Sequence, residues 1–222
     1  MSFFFSQPAA VIHKFATQIV RLYFHISKVM PEWLHLQSDV VFLKMPETTL
    51  LQDGVTLTCA APSEFSPSIV TAYLALLTKG NAVNVPSASR LMGAYRWAII
   101  QVPGSGQVVS AGALKKTSLN QAYYSTLFSP RKASLSQTFS TRRFPFDLGY
   151  LVTASDFRRR NYCTMVMDAL LAQCSHEGVL ATTQDPGIQR KLLHRSFERR
   201  GAHWQAENGG TLALYLRPVD KF

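Results

Sequence analysis

Leu148-Gly-Tyr-Leu-Val-Thr-Ala154, then Ser155-Asp-Phe-Arg-Arg-Arg-Asn-Tyr-Cys163, and further on Val179-Leu-Ala-Thr-Thr183 decide how this chain folds. The first seven residues read as a buried strand. Asp156–Cys163 is a polar turn. Thr164–Cys174 has helical apolar spacing, with Met165, Met167, Leu170 and Leu171 toward a core, and Gly178 stops it. Val179–Thr183 is then the next strand. Strand, helix and strand within roughly thirty residues predict a βαβ-type crossover.

Working outward, Tyr95–Val102 alternates like a strand, Pro103–Gly106 is a turn, and Gln107–Lys116 returns as a second strand. Val55–Cys59 is β-rich after the turn at Asp53-Gly54, and Val40–Lys44 is a short strand candidate. A β-meander follows from this spacing. Pro67, after Ser66, opens a helix through about Thr78, with Gly80 past its end. Residues 8–29 show helical spacing before Pro31. Downstream, Ile188–Arg200 reads as a helix closed by Gly201. Two strands, Ala202–Ala206 and Thr211–Arg217, then flank Asn208-Gly-Gly210.

With 222 residues and 47% apolar content, the chain has material for one core plus an appendage. Three cysteines are too few for a disulfide framework, and no eighteen-residue apolar run exists. The start lacks the cationic and apolar regions of a signal peptide. A soluble, cytoplasmic protein is therefore expected.

The net charge of +10 is unevenly placed. Residues 1–110 hold seven basic and five acidic side chains, and residues 111–222 hold sixteen and eight. From Lys115 to Arg160 there are nine basic residues against Asp147 and Asp156 alone. That imbalance points to an anionic partner. Within it, residues 117–146 carry six aromatics and four cations without an acid. So long an insertion between strands is usually functional or mobile, and Gln121–Phe128 suits a short helix inside it.

Arg158, Arg159 and Arg160 lie at the start of the helix that follows the central strand. Cations are unfavourable there, because a helix N-terminus carries about half a positive charge. An anion seated on the free N–H groups and clamped by the guanidinium forks resolves the conflict.

Leu151–Cys163 and the apolar helix behind it resemble motif A of the GNAT acyltransferase superfamily, a Gln/Arg-x-x-Gly-x-Gly/Ala signature after a strand. Arg158 falls on its first position, Asn161 on the first Gly and Cys163 on the second small residue. The resemblance spans about residues 55–217. Val108–Lys115 and Val179–Thr183 match the neighbouring strands. Phe197-Glu-Arg-Arg-Gly201 matches a late helical segment where the family often carries Tyr. The resemblance implies an α/β (α+β) fold with a central mixed sheet, mostly antiparallel with one parallel splayed pair, flanked by helices. Residues 55–222 would form that domain and residues 1–54 an N-terminal helical accessory segment.

The resemblance also implies an acyl-CoA cofactor, acetyl-CoA first, held by Arg158, Arg159, Arg160, Asn161, Tyr162 and Cys163. Backbone N–H groups near Leu151 and Val152 would polarise the acyl carbonyl. Asp147, at the head of the strand, matches a position where the family often has a carboxylate base. It could equally pair with Arg142 or Arg143. Tyr150 and Tyr162 are further proton donors, or packing aromatics. Cys163, beside three arginines, is a nucleophile candidate by position, though filling the small-residue slot suits it better. No histidine or cysteine spacing suggests a metal site.

Three functions follow. The first is acyl transfer to an amine. The second is nucleic-acid binding or modification, as in the phage Mom-like branch, using Tyr123, Tyr124, Arg131, Lys132, Arg142 and Arg143 for phosphates and bases. The third is a non-catalytic binding module on the same scaffold. The partners expected are an acyl-CoA, a DNA or RNA acceptor and, in a homodimer, a second copy of the chain. No membrane partner is expected.

Overall fold

The computed structural model describes residues 47–51, 53–80, 85–120, 124, 142–206 and 209–219. The expected helix over 8–29, the strand at 40–44 and most of the 121–128 helix lie outside these residues. Contacts divide the chain into Met1–Lys44 and Met45–Phe222, and every described residue belongs to the second unit.

Eight strands make one sheet in the order β1-β2-β3-β4-β5-β6-β8-β7. The four-strand meander comprises β1 (Glu47–Leu50), β2 (Thr56–Ala60), β3 (Arg96–Gln101) and β4 (Val108–Lys116), all antiparallel. Because β1 pairs with β2, the sheet takes in the end of the segment read as accessory. After β4 the chain returns as β5 (Phe146–Thr153), and after the helix that follows it as β6 (Val179–Thr183), parallel to β5. The edge is built by β7 (Glu198–Gln205) and β8 (Thr211–Arg217). The mixed sheet with one parallel pair is as expected.

Each face of the sheet is covered by helices whose sequence dictates them. Helix α1 (Pro67–Lys79) starts with Ser66 extended and Pro67 in the first turn, and Gly80 follows its end. With the short α2 (Ala88–Met92) it buries Tyr73, Leu77 and Leu91 against Trp97, Ile99 and Ala113. On the opposite face α3 (Tyr162–Ala172) sets Val166, Met167 and Leu170 against Ala98, Ile100, Leu114 and Leu148. Burying one such aliphatic side chain is worth about 1.5–3 kcal/mol, so these two faces carry most of the stability.

The late helix differs from expectation. Helix α4 runs only over Pro186–Leu193, begun by Asp185, whose carboxylate accepts from the Gly187 and Ile188 N–H groups. Ser196 turns the chain with φ 60°, Phe197 is buried, and Glu198 already pairs with Leu216 of β8. Strand pairing has overridden helical spacing there. Phe197 is therefore on no helix, and the match of Phe197–Gly201 to the family's late helical segment fails.

Candidate functional site

The parallel pair is short. β5 and β6 are joined only at Phe146↔Val179 and Asp147↔Leu180, and β6 then runs on paired to β8 alone. From Leu148 onward β5 is paired only on its β4 side. The two strands therefore part above Asp147, and the polar backbone facing the gap lies outside the ladder. Unpaired backbone groups need partners, which makes such a gap a ready binding cleft.

Opposite the gap β5 carries a bulge. Ala113 faces Gly149 and Ala111 faces Val152, so Tyr150 and Leu151 together oppose Gly112. Tyr150 takes φ 53°, a conformation that costs a non-glycine residue roughly 1–2 kcal/mol. Tyr73 supports it by donating its hydroxyl to the Tyr150 carbonyl at 2.9 Å. Burial, and then the neighbouring Tyr150, push the Tyr73 phenol well above its usual pKa, so it stays a donor. Gly112 makes room for the bulge from the other strand: a Cβ there would lie 2.6 Å from Leu151 Cδ2 and 2.8 Å from Val166 Cγ1, so those side chains would have to shift.

At the foot of the gap lies a charged cluster. Asp147 is 3% exposed, and its Oδ2 accepts from Lys115 Nζ and from the Tyr124 hydroxyl, each at 2.6 Å. The Lys115 ammonium also rests 4.6 Å from the centre of the Tyr150 ring. Asp147 is thus paired, but with Lys115 and Tyr124 instead of the expected Arg142 or Arg143. Cross-strand register explains the lysine, since Lys115 faces Asp147 directly. Nothing in local sequence announces Tyr124, twenty-three positions away.

The arginine loop tops β5. Arg158, Arg159 and Arg160 are exposed, Arg159 has φ 64°, and Asn161 begins α3 with φ 65°. Asn161 occupies the left-handed position that favours Gly or Asn, and its side chain caps nothing. The first-turn N–H groups of α3 are therefore not taken up by the residue that usually accepts them. Tyr162 is 2% exposed and donates to Asp53 at 2.7 Å. Burial, before any other cause, raises its pKa. Its hydroxyl is engaged by Asp53 and its ring stacks on Phe157 of this loop at 6.5 Å. Asp53, in the β1–β2 turn, has no sequence signal connecting it to the loop.

Burial also pushes the Cys163 thiol up, outweighing the lowering by Lys191. The arginines therefore do not activate it, and the position-based nucleophile reading is corrected. Lys191 reaches from the last turn of α4 to Thr164 Oγ1 at 3.1 Å, tying it to the first turn of α3. Among the expected nucleic-acid contacts, Arg142 and Arg143 are exposed just before β5, whereas Tyr124 is buried against Leu180 and Leu214. Tyr123, Arg131 and Lys132 lie outside the described residues. An open cavity of about 370 Å³, lined by Asp168, Ser175, Arg195 and Arg217, lies toward the far end of α3 from the loop.

No protein-family model matches the sequence, and no curated protein matches it either. Solved structures do match in fold. An acyl-CoA N-acyltransferase from Pseudomonas aeruginosa superposes with TM-score 0.53 at 13% identity, over 73% of this chain and 99% of that one. A GNAT-family acetyltransferase from Streptococcus agalactiae gives 0.52 at 12%, over 78% and 100%. Escherichia coli ElaA gives 0.51 at 16%, over 73% and 99%. The fold is that of the GNAT acetyltransferases. The phage Mom-like branch finds no support among these neighbours. No helix among the described residues is long and apolar enough to cross a membrane.

Proposed function

We propose that this GNAT-fold protein is an acyl-CoA-dependent N-acyltransferase, acetyl-CoA being the first cofactor to test, with a polyanionic acceptor such as DNA or RNA. One observation carries the reading: β5 and β6 part directly below a loop of three arginines that ends in left-handed Asn161. The donors suit the cofactor. The N–H groups at the start of α3, which the Asn161 side chain leaves uncapped, and the forks of Arg158, Arg159 and Arg160 favour a pyrophosphate. Left-handed Asn161 stands where the motif has its first Gly, and half-buried Cys163 fills the second small position. When bound, the cofactor supplies an acyl group activated as a thioester.

The chain's own residues would do the rest. Backbone N–H groups of β5 near Leu151 and Val152 polarise the acyl carbonyl, because the gap leaves that edge without a neighbouring strand. Asp147, at the foot of the gap, takes the proton that the attacking amine must lose. Lys115 and Tyr124 hold its Oδ2, which leaves Oδ1 for that work. Tyr150, at the bulge, lies with its ring beside the Lys115 ammonium that pairs with Asp147, and is the proton donor proposed for the leaving thiolate. The lysine beside the carboxylate and exposed Arg142 and Arg143 next to β5 favour an acceptor that carries negative charge.

The first test is thermal stabilisation by acetyl-CoA, expected to rise as the logarithm of ligand concentration. Arg158→Ala and Arg160→Ala should each reduce the shift, and Arg200→Ala, on the β7 edge, should not. No shift at millimolar acetyl-CoA rejects the cofactor. For catalysis, Asp147→Asn should abolish turnover yet keep cofactor affinity; full retained rate removes Asp147 as base. For the acceptor, Arg142→Ala/Arg143→Ala should weaken DNA or RNA binding and flatten its salt dependence. Absence of nucleic-acid binding at low salt would turn the search to small-molecule or protein amines.

A further inference from the structure

We infer that Asp53 and Tyr162 are positioning residues that hold Arg160 in place, making it the principal phosphate-binding cation among three consecutive arginines. This rests on the acyl-CoA reading of the loop. A single chain of contacts carries it. The Arg160 guanidinium lies beside the Tyr162 phenol and opposes the rise in its pKa, and the Tyr162 hydroxyl donates to Asp53 Oδ2 at 2.7 Å. The Arg160 guanidinium also lies 5.2 Å from the centre of the Phe157 ring, which stacks on Tyr162 at 6.5 Å. Arg160 is thus held at its face by a ring that itself stacks on the Asp53-anchored Tyr162.

The pivot is rigid and its anchor is distant in sequence. Tyr162 is 2% exposed at the start of α3, so its hydroxyl has little freedom to move. Asp53 comes from 109 positions earlier, in a turn closed by Leu51 N–H to the Val55 carbonyl at 2.8 Å and made by Gly54 at φ 72°. The Asp53 charge polarises the Tyr162 O–H and makes the phenol oxygen more attractive to the guanidinium beside it. Among the described residues the exposed side chains of Arg158 and Arg159 have no comparable support. An arginine ordered before its ligand arrives gives up its rotamer freedom on folding and not on binding, which strengthens its contact with phosphate.

The experiment is calorimetric titration of acetyl-CoA into wild type, Arg160→Ala, Tyr162→Phe, Asp53→Asn and the Arg160→Ala/Tyr162→Phe pair. Arg160→Ala should weaken binding roughly tenfold, as loss of a charge-assisted contact does. Tyr162→Phe should weaken it by about threefold, and in the Arg160→Ala background it should change nothing further. Asp53→Asn keeps an acceptor without the charge and should fall between wild type and Tyr162→Phe. Additive losses in the pair overturn the proposal, as do unchanged or tighter binding in Tyr162→Phe and Asp53→Asn. A wild type that does not bind acetyl-CoA rejects the cofactor reading itself, a result distinguishable from the others. Relaxation of the arginine Nε–H groups in the free protein supplies a ligand-independent check. Arg160 should be more restricted than Arg158 and Arg159 and should lose that restriction in Tyr162→Phe; equal mobility of all three overturns the proposal.

Discussion

Asp147 Oδ2 lies 2.6 Å from the Tyr124 hydroxyl, so a residue of the segment between β4 and β5 is fastened to the carboxylate where β5 and β6 part. Lys115 closes the same oxygen from β4. Removing the carboxylate leaves a mostly covered ammonium without its counter-charge. Asp147→Ala should therefore cost about 3 kcal/mol in urea unfolding, and Tyr124→Phe about 1–2 kcal/mol. The double variant should lose less than the sum, because both changes remove one hydrogen bond. Simple additivity would mean the bond carries no stability.

Asn161 is the second test. Its φ of 65° is one that glycine adopts freely and β-carbon-bearing residues resist. Asn161→Gly should leave stability within about 0.5 kcal/mol of wild type and preserve acetyl-CoA binding. Asn161→Ala should cost about 1 kcal/mol, and Asn161→Val more, because branching at Cβ worsens the left-handed clash. Thermal unfolding orders the three, and an Ala variant as stable as Gly would contradict the left-handed assignment.

Close approach, and not backbone freedom, explains two other glycines. A Cβ on Gly178 would run into the Arg143 carbonyl oxygen, which is backbone and cannot rotate away. On Gly112 it would meet only the side chains of Leu151, Val166 and Leu170, which can shift. Gly178→Ala should therefore be the more damaging, displacing the Arg142–Arg143 turn. Gly112→Ala should cost about 1–3 kcal/mol, as overpacking usually does. Circular dichroism melting curves give the comparison.

Cys174 supplies a pH test. Burial pushes its thiol from 9.0 to about 11, despite the opposing effect of Arg217. Below pH 9 the thiol is protonated in folded and unfolded chains alike. Between about 9 and 11 the unfolded chain releases a proton that the folded chain keeps, so stability should fall as pH rises through that window. Cys174→Ala should reduce the fall by about 2 kcal/mol at its upper end. Alkylation of Cys174 in the folded protein should stay slow at pH 8. Rapid labelling there would show that the site opens readily.

The sequence by itself determined the local elements and their order. Ser66-Pro67 with Gly80 fixed α1, and apolar spacing after Arg160 fixed α3, because caps and periodicity act within one turn of a chain. The strand–helix–strand unit implied the parallel pair, and the arginines at a helix start implied an anion. What sequence alone could not decide was long-range pairing. Glu198–Arg200 has helical spacing, yet it joined β7 because β8 offered an edge whose hydrogen bonds outweighed a weak local preference. The partners of Asp147 depended on β4–β5 register, which set Lys115 across from it, and on Tyr124 arriving from a separate segment. Asp53 reached Tyr162 only because the β1–β2 turn folds beside the start of α3. A titratable side chain's environment is made by residues tens of positions away, and only the packed sheet brings them within bonding distance.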